Sequence, residues 1–192
     1  VYGSQQDIVD ETCSKKDLLP QSPYAESKLR CEDIILEMSK KNNIQSSILR
    51  FGTIFGPSKG MRFHTAVNKF CLNTILNENV PVWKTALNQY RPYLSLSDAF
   101  KTFKFILEND FFKNDIFNVL SENKTVKEIL SIIKKLGYQP KIYLTNSKIM
   151  NQLSYKVQKN KIENHGLKLN AKIKKDIHET LEILKEIKNV RF

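Results

Sequence analysis

Glycine, cysteine and long apolar runs are all scarce in this 192-residue sequence, and each scarcity excludes something. No apolar run approaches the about 18 residues that a membrane-spanning helix needs, and the first residues carry no signal-peptide pattern. Cys13, Cys31 and Cys71 are odd in number and lack CxxC or Cys/His spacing. A disulfide framework and a zinc site are therefore not expected, and a reducing cytoplasm fits. His64, His165 and His178 have no ligand spacing among them, so no metal is expected. The six glycines, Gly3, Gly52, Gly56, Gly60, Gly137 and Gly166, make neither GxGxxG nor GxxGxxG. The residues given thus contain no glycine-rich turn of the kind that lets a backbone approach a pyrophosphate.

What is present is the composition of a folded protein: 41% apolar, 10% aromatic and 27% charged. That is enough for one good core but not for two ordinary domains. The net charge of +11 is uneven. Residues 1–112 hold 14 basic and 12 acidic groups, for +2, whereas residues 113–192 hold 17 and 8, for +9. A basic half invites a nucleic-acid reading, against which stands a solvated, lysine-rich set of helix faces. Aromatic residues are thin among those lysines, so nucleic acid is not the expected partner.

Strand and helix signals alternate, which argues for the α/β class. Residues 4–21 read as a loop. Ser22-Pro23 is a helix start, a cap followed by Pro at the first helical position. The helix runs to about Lys41, with Tyr24, Lys28, Cys31, Ile35 and Met38 along one side and Cys31 expected in the core. Strands are expected at 46–50, 80–83, 115–120 and 141–144. Helices are expected over 63–76, from a cap at Ser97 or Asp98 to 109, over 125–136, and over 173–187 with Ile177, Leu181, Leu184 and Ile187 inward. Arg62 would then open the second helix, where an N-terminus favours phosphate.

Tyr24 and Lys28 fall four residues apart on one helix face. A phenol titrates near 10 and is a poor base at neutral pH unless a cation favours its phenolate. A lysine one turn along supplies that cation and can hydrogen-bond a ribose hydroxyl. Together they suit moving a proton on and off an alcohol while a hydride leaves the carbon. Alone, the spacing also occurs as an ordinary exposed pair.

The order of landmarks resembles the extended short-chain dehydrogenase/reductase family, in its nucleotide-sugar epimerase/dehydratase branch. The landmarks are Val1-Tyr2-Gly3, Ser22-Pro23-Tyr24 with Ser27-Lys28-Leu29, and Leu49-Arg50-Phe51-Gly52-Thr53-Ile54-Phe55-Gly56-Pro57. Arg91-Pro92-Tyr93-Leu94, Phe117-Asn118-Val119 and the run from Asp176 to Leu181 complete the set. The resemblance implies NAD as cofactor, with Tyr24 as catalytic acid/base, Lys28 on the nicotinamide ribose and Gly52 where the backbone passes the nicotinamide.

It implies a nucleotide sugar as substrate, contacted by Thr53 (in place of a more usual Asn), Asn68, Trp83, Arg91 and Tyr155. Arg91 would grip the diphosphate through a charge-assisted fork, and Lys148 is a candidate for the second phosphate contact. Trp83 could stack on a nucleobase or sit in the core. The fold implied is the C-terminal part of a Rossmann-like parallel sheet with a smaller mixed lobe. Residues 1–60 would end the Rossmann-like domain, and 61–192 would form mainly the substrate lobe, interleaved with the last Rossmann strand and helices.

The branch's glycine-rich turn, acidic ribose-binding residue and catalytic Ser or Thr would precede residue 1, so a C-terminal fragment, inactive alone, is expected. The Met61-Arg62-Phe63 and Arg91-Pro92-Tyr93-Leu94 patterns favour 4-epimerisation through a 4-keto sugar over 4,6-dehydration or decarboxylation. A non-catalytic nucleic-acid-binding protein or an inactive remnant is the alternative of another class. Dimerisation of the full-length protein through the Tyr24 helix is what the resemblance suggests.

Overall fold

The computed structural model describes residues 1–3, 8–146 and 154–191. In chain order its elements are β1 (Ile8–Val9), α1 (Pro23–Asn42), β2 (Ser47–Phe51), β3 (Thr53–Phe55), α2 (Ala66–Ile75) and β4 (Asn79–Trp83). They continue with β5 (Tyr90–Ser95), α3 (Leu96–Glu108), β6 (Asp115–Val119), β7 (Glu122–Thr125), α4 (Val126–Lys135) and β8 (Lys141–Thr145). Then come β9 (Lys156–Val157), α5 (Asn160–Asn164) and α6 (Ile173–Arg191).

Local chemistry sets the helix ends. Ser22 Oγ accepts from the Ala25 N–H at 3.2 Å, with Pro23 in the first helical position, and Asn43 closes α1 in the left-handed region at φ 52°. Thr125 and Glu128 form a reciprocal capping box on α4. Ser95, rather than the expected Ser97 or Asp98, caps α3, because its hydroxyl is the one that reaches the Asp98 N–H. Thr65 precedes α2, so that helix starts later than the apolar pattern from Phe63 suggested. Arg62 therefore lies in the preceding turn rather than opening the helix.

The strands pair mainly in parallel, as the α/β expectation requires. β2 runs beside β6 in register from Ser47↔Asp115 to Phe51↔Val119. After Gly52 the chain changes neighbour, and β3 pairs with β5, which is antiparallel to β7 on its other side. β4 pairs with β8, and β1 with β9, both parallel. Successive strand residues face opposite sides, and this decides what flanks β2. Arg50 meets Glu32 of α1, while Phe51 meets Phe103 of α3 edge-on at 5.6 Å.

Two larger apolar cores result, interleaved in sequence. One gathers Val67, Phe70 and Cys71 of α2 with Ile129 and Ile133 of α4 and Ile177 and Leu181 of α6. The other joins Leu94, Ile106, Phe117, Val119 and Ile162. A small third cluster, Val9, Leu120 and Val157, carries Tyr2 and Tyr155 on its flank.

Two burial expectations are corrected. On α1, Cys31 is exposed, and Ile35 and Met38 are 39% and 45% exposed, while Glu32 and Ser39 are buried. The inward side of this helix is polar because Glu32 pairs with Arg50, and the Ser39 hydroxyl bonds the Ile35 carbonyl and Ser46 Oγ. On α6, Ile187 is exposed although Ile177, Leu181 and Leu184 are buried. Among the described residues, no helix is long and apolar enough to cross a membrane.

Candidate active site

Tyr24 stands in the first turn of α1 and is 71% exposed. Lys28, one turn on and also exposed, lies over its ring with Nζ 5.4 Å from the centroid. The expected pair thus forms, with phenol and ammonium presented together at the helix start. Glu26 is acidic in the same turn.

Gly52 is buried between β2 and β3, its N–H donating to the Val119 carbonyl at 2.9 Å. A Cβ there would stand 3.0 Å from the Pro92 carbonyl carbon and oxygen. The glycine is therefore needed for the close approach of β5, the strand that carries Arg91. Thr53, next along, is exposed and in register with Tyr93. Burial pushes the Tyr93 hydroxyl up to about 12, although the neighbouring Arg91 charge opposes the shift. Tyr93 is therefore protonated at neutral pH.

Arg91 is partly buried, with Nη1 donating to the Tyr90 carbonyl at 2.9 Å and Nη2 to Gln89 Oε1 at 3.0 Å. Its guanidinium lies over the Tyr155 ring, 5.6 Å from the centroid. Burial also raises the Tyr155 hydroxyl, against the Arg91 charge. These two expected residues, distant in sequence, are therefore brought together.

Asn68 is buried, and both ends of its amide are engaged. Oδ1 accepts from the Gly56 N–H at 3.2 Å, and Nδ2 donates to the Arg62 carbonyl at 3.1 Å. It staples the loop between β3 and α2. Trp83 ends β4 beside Thr145 of β8 and is 46% exposed, so it is not a core residue. Lys148 lies outside the described residues. His165 packs edge-on against Phe111 and Phe117, and His64 is exposed. Among the described residues, no group of three or more His, Cys, Asp or Glu could hold a metal ion.

Composition and spacing do not single out Glu32 and Arg50. Arg50 Nε and Nη2 bond the two Glu32 oxygens at 2.9 and 2.6 Å, with both side chains at most 10% exposed. Burial pulls the Arg50 charge down, but the Glu32 bonds and Tyr2 outweigh it and hold the guanidinium above its ordinary range. A hollow of about 330 Å³ beside this pair is lined by Glu11, Cys13, Leu29, Leu36 and Ile116, away from Tyr24, Gly52 and Arg91.

A protein of Methanocaldococcus jannaschii, named as a candidate UDP-glucose 4-epimerase, is 28% identical over 142 residues. The match covers 72% of this chain and 45% of the relative. A solved variant of UDP-glucuronic acid 4-epimerase from Bacillus cereus superposes with a TM-score of 0.83 at 19% identity, over 97% of this chain and 59% of that one. The dTDP-glucose 4,6-dehydratase of Bacillus anthracis gives 0.80 at 22%, over 98% and 59%. These superpositions support the Rossmann-like α/β reading of the fold, and the chain spans about half the length of the curated relative it matches. The model described as the NAD dependent epimerase/dehydratase family matches residues 1–119, and the chain belongs to that family.

Proposed function

We propose that the full-length protein is an NAD-dependent enzyme that epimerises a nucleotide-diphosphate sugar at C4. The observation that carries the reading is the exposed Tyr24–Lys28 pair at the start of α1. Tyr24 takes the proton from the sugar hydroxyl and later returns it. Lys28 keeps an ammonium group 5.4 Å from the Tyr24 ring centroid, beside the place where that proton moves. Bound NAD would accept a hydride from the sugar carbon and give it back.

The donor set fits that cofactor's nicotinamide side: a phenol and an ammonium are presented together, and Gly52 and Lys28 are the residues that would adjoin it. Arg91, with the Tyr155 ring on its guanidinium, suits a diphosphate. The exposed Trp83 suits a base, and the exposed Thr53 would meet another part of the nucleotide sugar. Asn68 acts on substrate through the loop it staples. Structural relatives described with NAD include both epimerases and 4,6-dehydratases. Epimerisation is preferred over elimination on the Met61-Arg62-Phe63 and Arg91-Pro92-Tyr93-Leu94 patterns.

The basic second half serves the fold in part. Lys159 Nζ donates to the Ser121 and Leu169 carbonyls, and Lys161 Nζ to the Ile116 carbonyl and Asp115. Lys188 Nζ donates to the Ile75 carbonyl. These lysines are engaged within the fold, which weakens the charge argument for a nucleic-acid partner. The outward Ile34, Ile35 and Met38 of α1 support dimerisation through that helix.

The test is Tyr24→Phe in the full-length protein. Turnover of UDP- or dTDP-sugars should fall by about three orders of magnitude or more, of the size expected for loss of an acid/base group. UDP affinity by calorimetry should stay within twofold of wild type. Unchanged turnover would end the proposal, and product analysis by NMR would separate a 4-epimer from a 4-keto-6-deoxy sugar.

A further inference from the structure

Between Arg91 and α1 stands a row of two edge-packed tyrosine rings with a guanidinium on each outer side. The Arg91 guanidinium lies 5.6 Å from the Tyr155 centroid. Tyr155 meets Tyr2 edge-on, with centroids 6.3 Å apart and planes at 63°. The Tyr2 ring lies 4.8 Å under the Arg50 guanidinium, and Arg50 forks onto Glu32. Each step is within the range in which a cation is drawn to a ring face or two rings pack edge to face.

Both ends of this row matter to the proposed reaction. Glu32 follows Lys28 by four residues, as Lys28 follows Tyr24, so the three occupy successive turns of α1, each offset by about 40°. The row thus ends on the flank of the helix that presents Tyr24 and Lys28. Tyr2 is fixed independently, its hydroxyl donating to Asn118 Oδ1 at 2.9 Å, and a side chain at the neighbouring Gly3 would collide with the Leu19 carbonyl. The segment leading into α1 is therefore packed against the residues that carry the row. Each guanidinium is drawn to the face of its own ring, Arg91 to Tyr155 and Arg50 to Tyr2, and the edge-on contact of the two rings sets the distance between the like charges.

We propose that Tyr155 and Tyr2 are positioning residues: through this row they hold the guanidinium of Arg91 in the orientation that binds the substrate diphosphate and tie it to the helix of Tyr24 and Lys28. The inference rests on the reading of Arg91 as the diphosphate contact. The rings make the contacts of the row, and the Tyr2 hydroxyl bond to Asn118 adds to a placement that the packing at Gly3 and under Arg50 already imposes.

The experiment measures UDP and dTDP affinity of the full-length protein by calorimetry, for wild type, Arg91→Ala, and the Phe and Leu variants of Tyr155 and Tyr2. Arg91→Ala should weaken the better of the two nucleotides tenfold or more. Tyr155→Leu should weaken it about fivefold and Tyr2→Leu about threefold, with Tyr155→Phe and Tyr2→Phe within twofold of wild type. In the Arg91→Ala background, Tyr155→Leu should add nothing. Tyr155→Phe carrying one, two or three ring fluorines keeps shape while draining the quadrupole, so affinity should fall stepwise even if a Leu variant does not fold.

If Arg91→Ala weakens binding but the fluorine series is flat, the row has no positioning role and the proposal is overturned while the diphosphate reading stands. Equal losses in the Phe and Leu variants would assign the effect to the hydroxyls and also overturn it. If neither nucleotide binds, or Arg91→Ala binds as wild type, the diphosphate reading fails and takes this proposal with it.

Discussion

Gly52 shows what one residue decides. The resemblance implied that Gly52 lies where backbone passes the cofactor, and the structure supplies a purely internal reason for a glycine there. A methyl group at this position would stand 3.0 Å from the Pro92 carbonyl, so β2, β3 and β5 meet there only because the side chain is absent. Gly52→Ala should therefore cost about 1–3 kcal/mol of stability, as overpacking a filled site does. Urea denaturation would measure it, and a loss under 0.3 kcal/mol would mean β5 moves aside freely. At this scale the sequence was legible where spacing alone sets a neighbour: Tyr24 and Lys28, four apart on one helix, do adjoin, whereas Arg91 was marked only by the resemblance. It was illegible for Glu32. That residue is buried only because Arg50, 18 positions away, reaches it, and a helix-face argument places Cys31 there instead.

At the scale of elements, the helix positions follow from caps and apolar spacing, and most bounds fall within one to three residues of the pattern. The missed strands are β1, which falls in the stretch expected as a loop, β3, β5, β7 and β9. They are short or carry Pro92 and polar runs, and they exist only by pairing among themselves. The junction of α3 and α6 makes a prediction. Asp98 is buried and accepts from Ser121 Oγ at 2.7 Å and the Ala171 N–H at 3.1 Å. Asp176 of α6 is buried with its Oδ2 unpartnered. Burial first, then Glu179 and Asp98, raise its carboxyl above the ordinary range.

A carboxyl whose folded value is raised binds its proton more tightly in the native state. The cost of its charge is thus fully present above that value and vanishes below the about 3.9 of the unfolded chain. Asp176→Asn should raise the thermal midpoint at pH 7, by about 1 kcal/mol in stability. The gain should shrink as the pH falls through the raised value towards 4. A gain that is constant from pH 7 to 4, or a loss at pH 7, would contradict this account.

For the whole molecule, the outer surface of α3 is the notable feature. Leu96, Phe100, Phe103 and Leu107 follow at i, i+4, i+7 and i+11, and are 37%, 69%, 51% and 73% exposed, while Ala99, Thr102 and Ile106 face the core. A helix with apolar residues on both flanks exposes an apolar patch that favours association. The 192-residue chain should self-associate at micromolar concentration, and Phe100→Lys with Leu107→Glu should lower its mass by light scattering without changing its circular dichroism. An unchanged mass would remove this stripe as the cause.

The sequence by itself determined the class of the protein and the chemistry on offer. Local rules of capping, spacing and residue type need no distant partner, so α1 with Tyr24 and Lys28, α4 with its capping box, and the α/β alternation are written in neighbouring residues. Only the tertiary structure decided which of these residues meet. Arg91 over Tyr155, Arg50 on Glu32, and Asn68 stapling the loop at Gly56 each join positions whose approach depends on strand pairing and on both flanks of β2 being covered. Contacts of that kind are set by packing of the whole chain, where burial and charge are shared between distant segments.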